Sequence, residues 1–173
     1  MKIIEINLII LFICIKAFSQ DSIAWKPSCK LQWVDFRGTI DKNKPFGAVT
    51  STGIFFRFSI IGSDFRDSVV AMFYKRESWV RISSSEGLIH EQGHFDISEI
   101  YARRLRKKLK EYTLRARTLR SDLNIMYYEI EAERNQMEEL YDKETNHSRN
   151  AERQVFWNGK IQNELKELEM YAK

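Results

Sequence analysis

Two histidines stand four residues apart in the stretch LIHEQGHFDISEI, residues 88–100, with a glutamate directly after the first. On an α-helix, residues four apart share a face one turn up, so His90 and His94 can aim ring nitrogens at one point. A zinc ion suits such a pair, because imidazole nitrogen is among its usual ligands. Glu91 stands one residue, about 100 degrees, further around the helix. In zinc peptidases that position puts the carboxylate beside the metal's water rather than on the metal. There it can act as general base toward the water and later return the proton to a leaving amine. The histidine face continues through Ile97, Tyr101 and Leu105, so it points into the protein, where a buried histidine pair needs partners. The plain alternative is a helix with two core histidines hydrogen-bonded to backbone.

A catalytic zinc takes three protein ligands and keeps one position open. The chain has three histidines, and the third is His147, in the stretch YDKETNHS. His147 is the expected third ligand. Asp142, Glu144 and Glu99 are its carboxylate alternatives, and Glu99 could instead accept a hydrogen bond from a ligand histidine. Tyr101, on the His94 face two turns on, and Tyr141, beside the loop, are candidate donors to a tetrahedral oxyanion, set against a structural role for each. Gly93 inside the motif costs about 1 kcal/mol of helix stability relative to alanine. It is read as room for the close approach of a neighbouring strand.

The elements that must position these residues divide the chain in two. Residues 20–82 hold both prolines and short apolar runs, and read as strands. In GIFFRFSIIG, Ile54, Phe56, Phe58 and Ile60 alternate with a more mixed set, so one face of a strand is apolar. LQWVDF at 31–36 and SVVAMFY at 68–74 are further strand candidates, with DKNKPFG and GSDFRD as turns. From 83 to 173 the period becomes helical. Ser83 is a candidate N-cap with Glu86 three residues on, and Leu119, Leu123, Met126, Ile130, Met137 and Leu140 mark a second helix. Ile161, Leu165 and Leu168 mark a third, with DKETNHS at 142–148 as the loop before it. The expectation is one α+β domain over residues 20–173, a small antiparallel sheet packed against about three helices, with the histidine helix between the sheet and the other two.

A chain of 173 residues, 43% hydrophobic and 30% charged, can bury one real core. Residues 1–19 read as a secretory signal, with Lys2, an apolar run from Leu8 to Ile15, and a small-x-small site at Ala17 and Ser19. Periplasmic or extracellular localisation follows. Lipid anchoring at Cys14 is disfavoured, because Ile13 fills a position that needs a small residue. Removing the signal leaves Cys29 alone, without an internal disulfide partner. A net charge of +4 points to no particular partner, and nucleic acid is not expected. RRLRKKLK at 103–110 is read as the solvated outer face of the histidine helix, with an anionic membrane or polysaccharide surface as the alternative. The tryptophans and phenylalanines are read as core filling. No glycine-rich phosphate loop or serine nucleophile elbow appears, which removes nucleotide chemistry and serine hydrolysis.

LIHEQGHFDISEIYARRL, followed by YDKETNH and QVFWNGKI and accompanied by LQWVDFRG, FGAVTSTG and ESWVR, resembles a bacterial family of predicted secreted zinc-dependent proteases catalogued as a domain of unknown function. The resemblance implies a zincin-like peptidase that uses one zinc ion on a peptide or protein substrate, with His90 and His94 as ligands, Glu91 as base and His147 as third ligand. One departure is Ser148, where glycine is expected after the loop histidine. If that position is left-handed, serine strains it. Set against the peptidase is an exported envelope binding or assembly protein whose zinc is structural or catalytically silent.

Overall fold

The structure, a computed structural model, describes residues 21–61 and 64–173. The signal read at residues 1–19, Cys14 included, lies outside the described residues, as do Gly62 and Ser63 of one expected turn. The strands are β1 (Ser22–Ala24), β2 (Ala48–Val49), β3 (Thr52–Ile61), β4 (Asp64–Tyr74) and β5 (Trp79–Val80). The helices are α1 (Ser85–Glu111), α2 (Leu119–Thr145) and α3 (Ala151–Glu167). This is the expected α+β arrangement of a small antiparallel sheet and three helices. The strands form two sheets: β3 and β4 pair from Thr52↔Phe73 to Ile61↔Asp64 with β1 on the far edge of β4, and β2 pairs with β5.

The alternation in β3 and β4 gives the main sheet one apolar face, where Ile54, Val69, Ala71 and Phe73 are buried. α1 lies across that face. Phe95 meets Phe73, the Ser98 hydroxyl donates to Thr52 Oγ1 at 2.8 Å, and Arg106 donates to the Val69 carbonyl. On its other side α1 packs against α2 and α3, through contacts such as the Tyr101 hydroxyl to Met137 Sδ and Arg103 to the Leu165 carbonyl. Helix α1 is therefore the middle layer, and both of its long faces are enclosed.

The structure departs from the sequence reading in several places. LQWVDF is not a strand: Trp33–Asp35 form a 3₁₀ turn, and the Asp35 carboxylate accepts from the Gln32 amide at 3.0 Å. A local side-chain bond of this kind competes with ladder pairing. The N-cap of α1 is Ser84, whose hydroxyl accepts from Gly87 N at 2.9 Å, one residue beyond Ser83. Residues 64–67 of the expected turn are already in β4. Residues 112–118 separate α1 from α2, and α2 runs on through Asp142 to Thr145, so half of the expected DKETNHS loop is helix.

The basic run also differs from its expected solvated face. Arg103 is buried, only Lys107 and Lys110 are exposed, and Arg103 and Arg106 pair with Glu99, Arg104 with Glu164, and Lys108 with Glu129. Among the described residues no helix is long and apolar enough to cross a membrane.

Candidate metal centre

His90 and His94 enter the site from consecutive turns of α1. The carboxylate that meets them comes from Asp142, on the last turns of α2. Asp142 Oδ1 stands 3.0 Å from His90 Nε2 and 3.2 Å from His94 Nε2, and the two histidine nitrogens are 3.3 Å apart. Ligands held about 2.0–2.1 Å from zinc in a tetrahedron are separated by about 3.3 Å. The triangle of donors matches one shared ion. His147 Nδ1 approaches the same oxygen at 3.3 Å, and His90, Asp142 and His147 each offer a ligand atom within 4.8 Å of the others. This cluster could hold a metal ion.

Hydrogen-bond partners decide which atoms of the histidines face the centre. The Tyr141 hydroxyl donates to the His90 carbonyl at 3.0 Å, so it accepts from Gln154 Nε2 at 2.7 Å. Gln154 then presents Oε1 to His90 Nδ1 at 3.0 Å, and that ring nitrogen carries the proton. His94 Nδ1 faces the Glu138 carboxylate, which can only accept when ionised. Both Nε2 atoms therefore turn toward Asp142, another acceptor. Three acceptors converging at about 3 Å require a cation among them, a proton or a metal. The donor chemistry thus fits a metal ion, with each ligand histidine oriented from behind by an outer partner.

Electrostatics agree. Burial alone would lower His94, but the Glu138 and Asp142 carboxylates outweigh it and hold the imidazole well above its ordinary range. Burial would raise Asp142, but hydrogen bonds with His90 and His94 hold its carboxyl far below the usual carboxylate range. Without metal, a proton on His94 does the neutralising.

Glu91 is buried on the wall of a cleft of about 720 Å³ that also reaches Phe46, Ala48, Arg134 and His147. Among the described residues its carboxylate forms no hydrogen bond or ion pair. A carboxylate with no partner and an opening to water is available as a base. The cleft wall opposite the helices is the segment from Lys44 to Thr52, which includes β2.

The other candidates lie elsewhere or work otherwise. Glu99 is enclosed by Arg103 and Arg106, away from the histidines. Glu144 turns to Arg153 and to Trp157 Nε1. The Tyr101 hydroxyl is bonded to Met137 Sδ. The Tyr141 ring stacks on His90 with centroids 4.6 Å apart, its hydroxyl is consumed by the His90 carbonyl, and burial pushes that hydroxyl well above its ordinary range. It supports the ligand helix instead of facing the cleft. The close approach at Gly93 is to Tyr141 of α2, not to a strand: a Cβ there would lie 2.2 Å from the tyrosine oxygen. The sequence reading missed Glu138 and Gln154. Glu138 is four residues before Asp142 and so shares its helical face, a signal present in the sequence, whereas nothing local distinguishes Gln154.

His147 belongs to an unusual backbone. Asn146, His147 and Ser148 have φ of 48°, 50° and 70°, three successive left-handed residues without a glycine. Each costs on the order of 1–2 kcal/mol, less for asparagine, whose short polar side chain tolerates the region. Ser148 occupies the left-handed position at which glycine was expected. The turn is held by His147 N to the Asp142 carbonyl at 3.1 Å and Asn150 N to the Thr145 carbonyl at 2.8 Å.

A family model described as a bacterial protein of unknown function (DUF922) matches residues 28–148, a span that takes in His90, Glu91, His94, Asp142 and His147. No curated protein and no solved structure matches the chain significantly.

Proposed function

The chain belongs to the bacterial family DUF922, and on that footing we propose that it is an exported, zincin-like zinc metallopeptidase that hydrolyses peptide bonds. Membership assigns no activity, so the reading rests on one observation: His90 Nε2, His94 Nε2 and Asp142 Oδ1 converge within 3.3 Å in an open cleft that is also lined by Glu91, whose carboxylate has no partner among the described residues. His90, His94 and Asp142 would hold one zinc ion, with His147 on the fourth side. Asp142 thereby takes the third-ligand role that the sequence reading gave to His147. Zinc, when bound, supplies a Lewis acid that acidifies water and polarises a carbonyl.

The chain's own residues do the rest. Glu91 accepts a proton from the attacking water and delivers it to the amine as the C–N bond breaks. Gln154 and Glu138 keep the histidine rings aimed. The cleft has room for an extended peptide segment held against the wall of residues 44–52.

Glu91→Gln should retain one zinc per chain and lower turnover of a cleaved library peptide by about 10²–10⁴-fold. A Glu91→Gln enzyme with undiminished cleavage removes Glu91 from the chemistry, and wild-type protein that takes up no zinc removes the metal reading altogether. The rival reading, an envelope binding or assembly protein with a structural or silent zinc, draws on His147 as a fourth protein donor. A filled coordination sphere leaves no place for water. Zinc-loaded wild type that cleaves nothing in the library would favour it.

A further inference from the structure

The donors of this site are not held alike: His90, His94 and Asp142 form one triangle, and His90, Asp142 and His147 lie within 4.8 Å of one another. His90 and His94 are fixed on a buried helix, each with its second ring nitrogen bonded, to Gln154 and to Glu138. Asp142 is within helix α2. His147 is held differently: it lies past the end of α2, its ring touches Phe46 at 4.7 Å between centroids, and its backbone is one of three consecutive left-handed residues. Among the described residues its second ring nitrogen makes no hydrogen bond. Three donors stand on helices and one on a turn, and that one alone rests on a backbone that gains by rearranging.

The same cleft is lined by Glu91, whose carboxylate makes no hydrogen bond or ion pair among the described residues. A centre permanently closed by four protein ligands would give Glu91 no task, whereas one that never uses His147 would leave the strain in residues 146–148 without return.

We infer that His147 is a releasable fourth ligand, which closes the centre at rest and yields its place when substrate enters against Phe46 and the segment 44–52. The inference rests on the metal reading proposed above and adds how access to that metal is controlled. Phe46 is part of both the substrate wall and the His147 contact, so a peptide lying on that wall disturbs the ring that steadies His147. Release then lets the strained turn relax, and the two changes favour one another.

The test uses the exported chain from Gln20 onward loaded with cobalt(II), whose visible absorption reports its ligands, and acetohydroxamate as a probe for an open position. Wild type, His147→Ala, Ser148→Gly and His90→Ala are compared. His147→Ala should keep one cobalt with an altered spectrum and bind acetohydroxamate about tenfold more tightly than wild type, because the closed population no longer competes. Ser148→Gly should act in the opposite direction, weakening the probe about threefold, since glycine takes the left-handed position without strain and favours the closed form.

If His147→Ala loses cobalt as fully as His90→Ala does, His147 is a fixed ligand and the inference fails. If His147→Ala and wild type share one spectrum and one acetohydroxamate affinity, His147 never reaches the metal, and the inference fails again. Both outcomes leave the metal reading standing. Wild type that takes up no cobalt overturns that reading itself.

Discussion

Helix α1 carries two clusters of buried polar residues, and they are opposite in kind. Toward its C-terminal end Glu99 is enclosed by Arg103 and Arg106 at 2.9 Å each, and Arg106 also reaches the Val69 and Tyr171 carbonyls. Each charged group there has partners within the chain, the two guanidinium groups sharing one carboxylate and turning their other donors to backbone carbonyls. Toward its N-terminal end the Nε2 atoms of His90 and His94 and the Asp142 carboxylate turn lone pairs at one another, Glu138 accepts from His94 Nδ1, and among the described residues Glu91 has no hydrogen bond or ion pair. That cluster is left one cation short. The two lie on one helix within three turns, so burial alone does not distinguish structure from function; the presence or absence of internal compensation does.

Removing Glu99 should produce the largest effect. Glu99→Ala strands two guanidinium groups, one of them fully buried, and breaking a buried pair in this way costs about 3–5 kcal/mol. The midpoint of thermal unfolding should fall by about ten degrees, while zinc content per folded chain stays the same. Loss of zinc with unchanged stability would invert the comparison and return Glu99 to the list of ligands.

Gly93→Ala should be intermediate and should strike both properties. The added methyl meets Tyr141 Oη at 2.2 Å, and the tyrosine has no free space because it bonds the His90 carbonyl and Gln154. Overpacking of this kind costs about 1–3 kcal/mol. Because the displaced tyrosine also sets Gln154 against His90, zinc affinity should fall about 10–100-fold, as for other outer partners of a ligand. Competition with a metal-sensitive dye reads the second effect. An unchanged affinity would mean that the Tyr141–Gln154 chain does not orient His90.

Much of this contrast was legible in the residues, for local reasons. Spacing by four put His90 and His94 on one face, alternation gave β3 and β4 their apolar side, and the helical period marked α2 and α3. What could not be read depended on distant contacts. LQWVDF has strand-like composition, but Leu31 N is taken by Gln92 and Asp35 caps its own turn. RRLRKKLK looks like a solvated stripe until Glu164 and Glu129 of the other helices are found opposite it; Glu99, four residues before Arg103 on the same helix, was within reach of the sequence. Asp142 and His147 lie in one heptapeptide, and only the extension of α2 to Thr145 separates a helix-borne carboxylate from a loop-borne imidazole. Sequence spacing could nominate both; the end of the helix determines which one meets both histidines.

The smallest effect separates the two clusters by pH in chelator-treated protein. The folded pKa of His94 is raised above its unfolded value, because Glu138 and Asp142 outweigh the cost of burial. Its contribution to stability is therefore fully present below the unfolded pKa of about 6.5 and is lost as pH rises through the higher folded value. Metal binding runs the other way, since zinc must displace that proton. Metal-free protein should unfold at a lower temperature at pH 9 than at pH 6, and added zinc should raise the unfolding temperature more at pH 9. Asp142→Asn removes one of the two carboxylates that hold His94 up and should flatten the metal-free profile, whereas Lys107→Gln, at an exposed position beyond the compensated cluster, should leave it unchanged. A profile with the same slope in Asp142→Asn would mean that Asp142 does not help to hold the His94 proton, and the charge imbalance assigned to this end of the helix would have to be sought elsewhere.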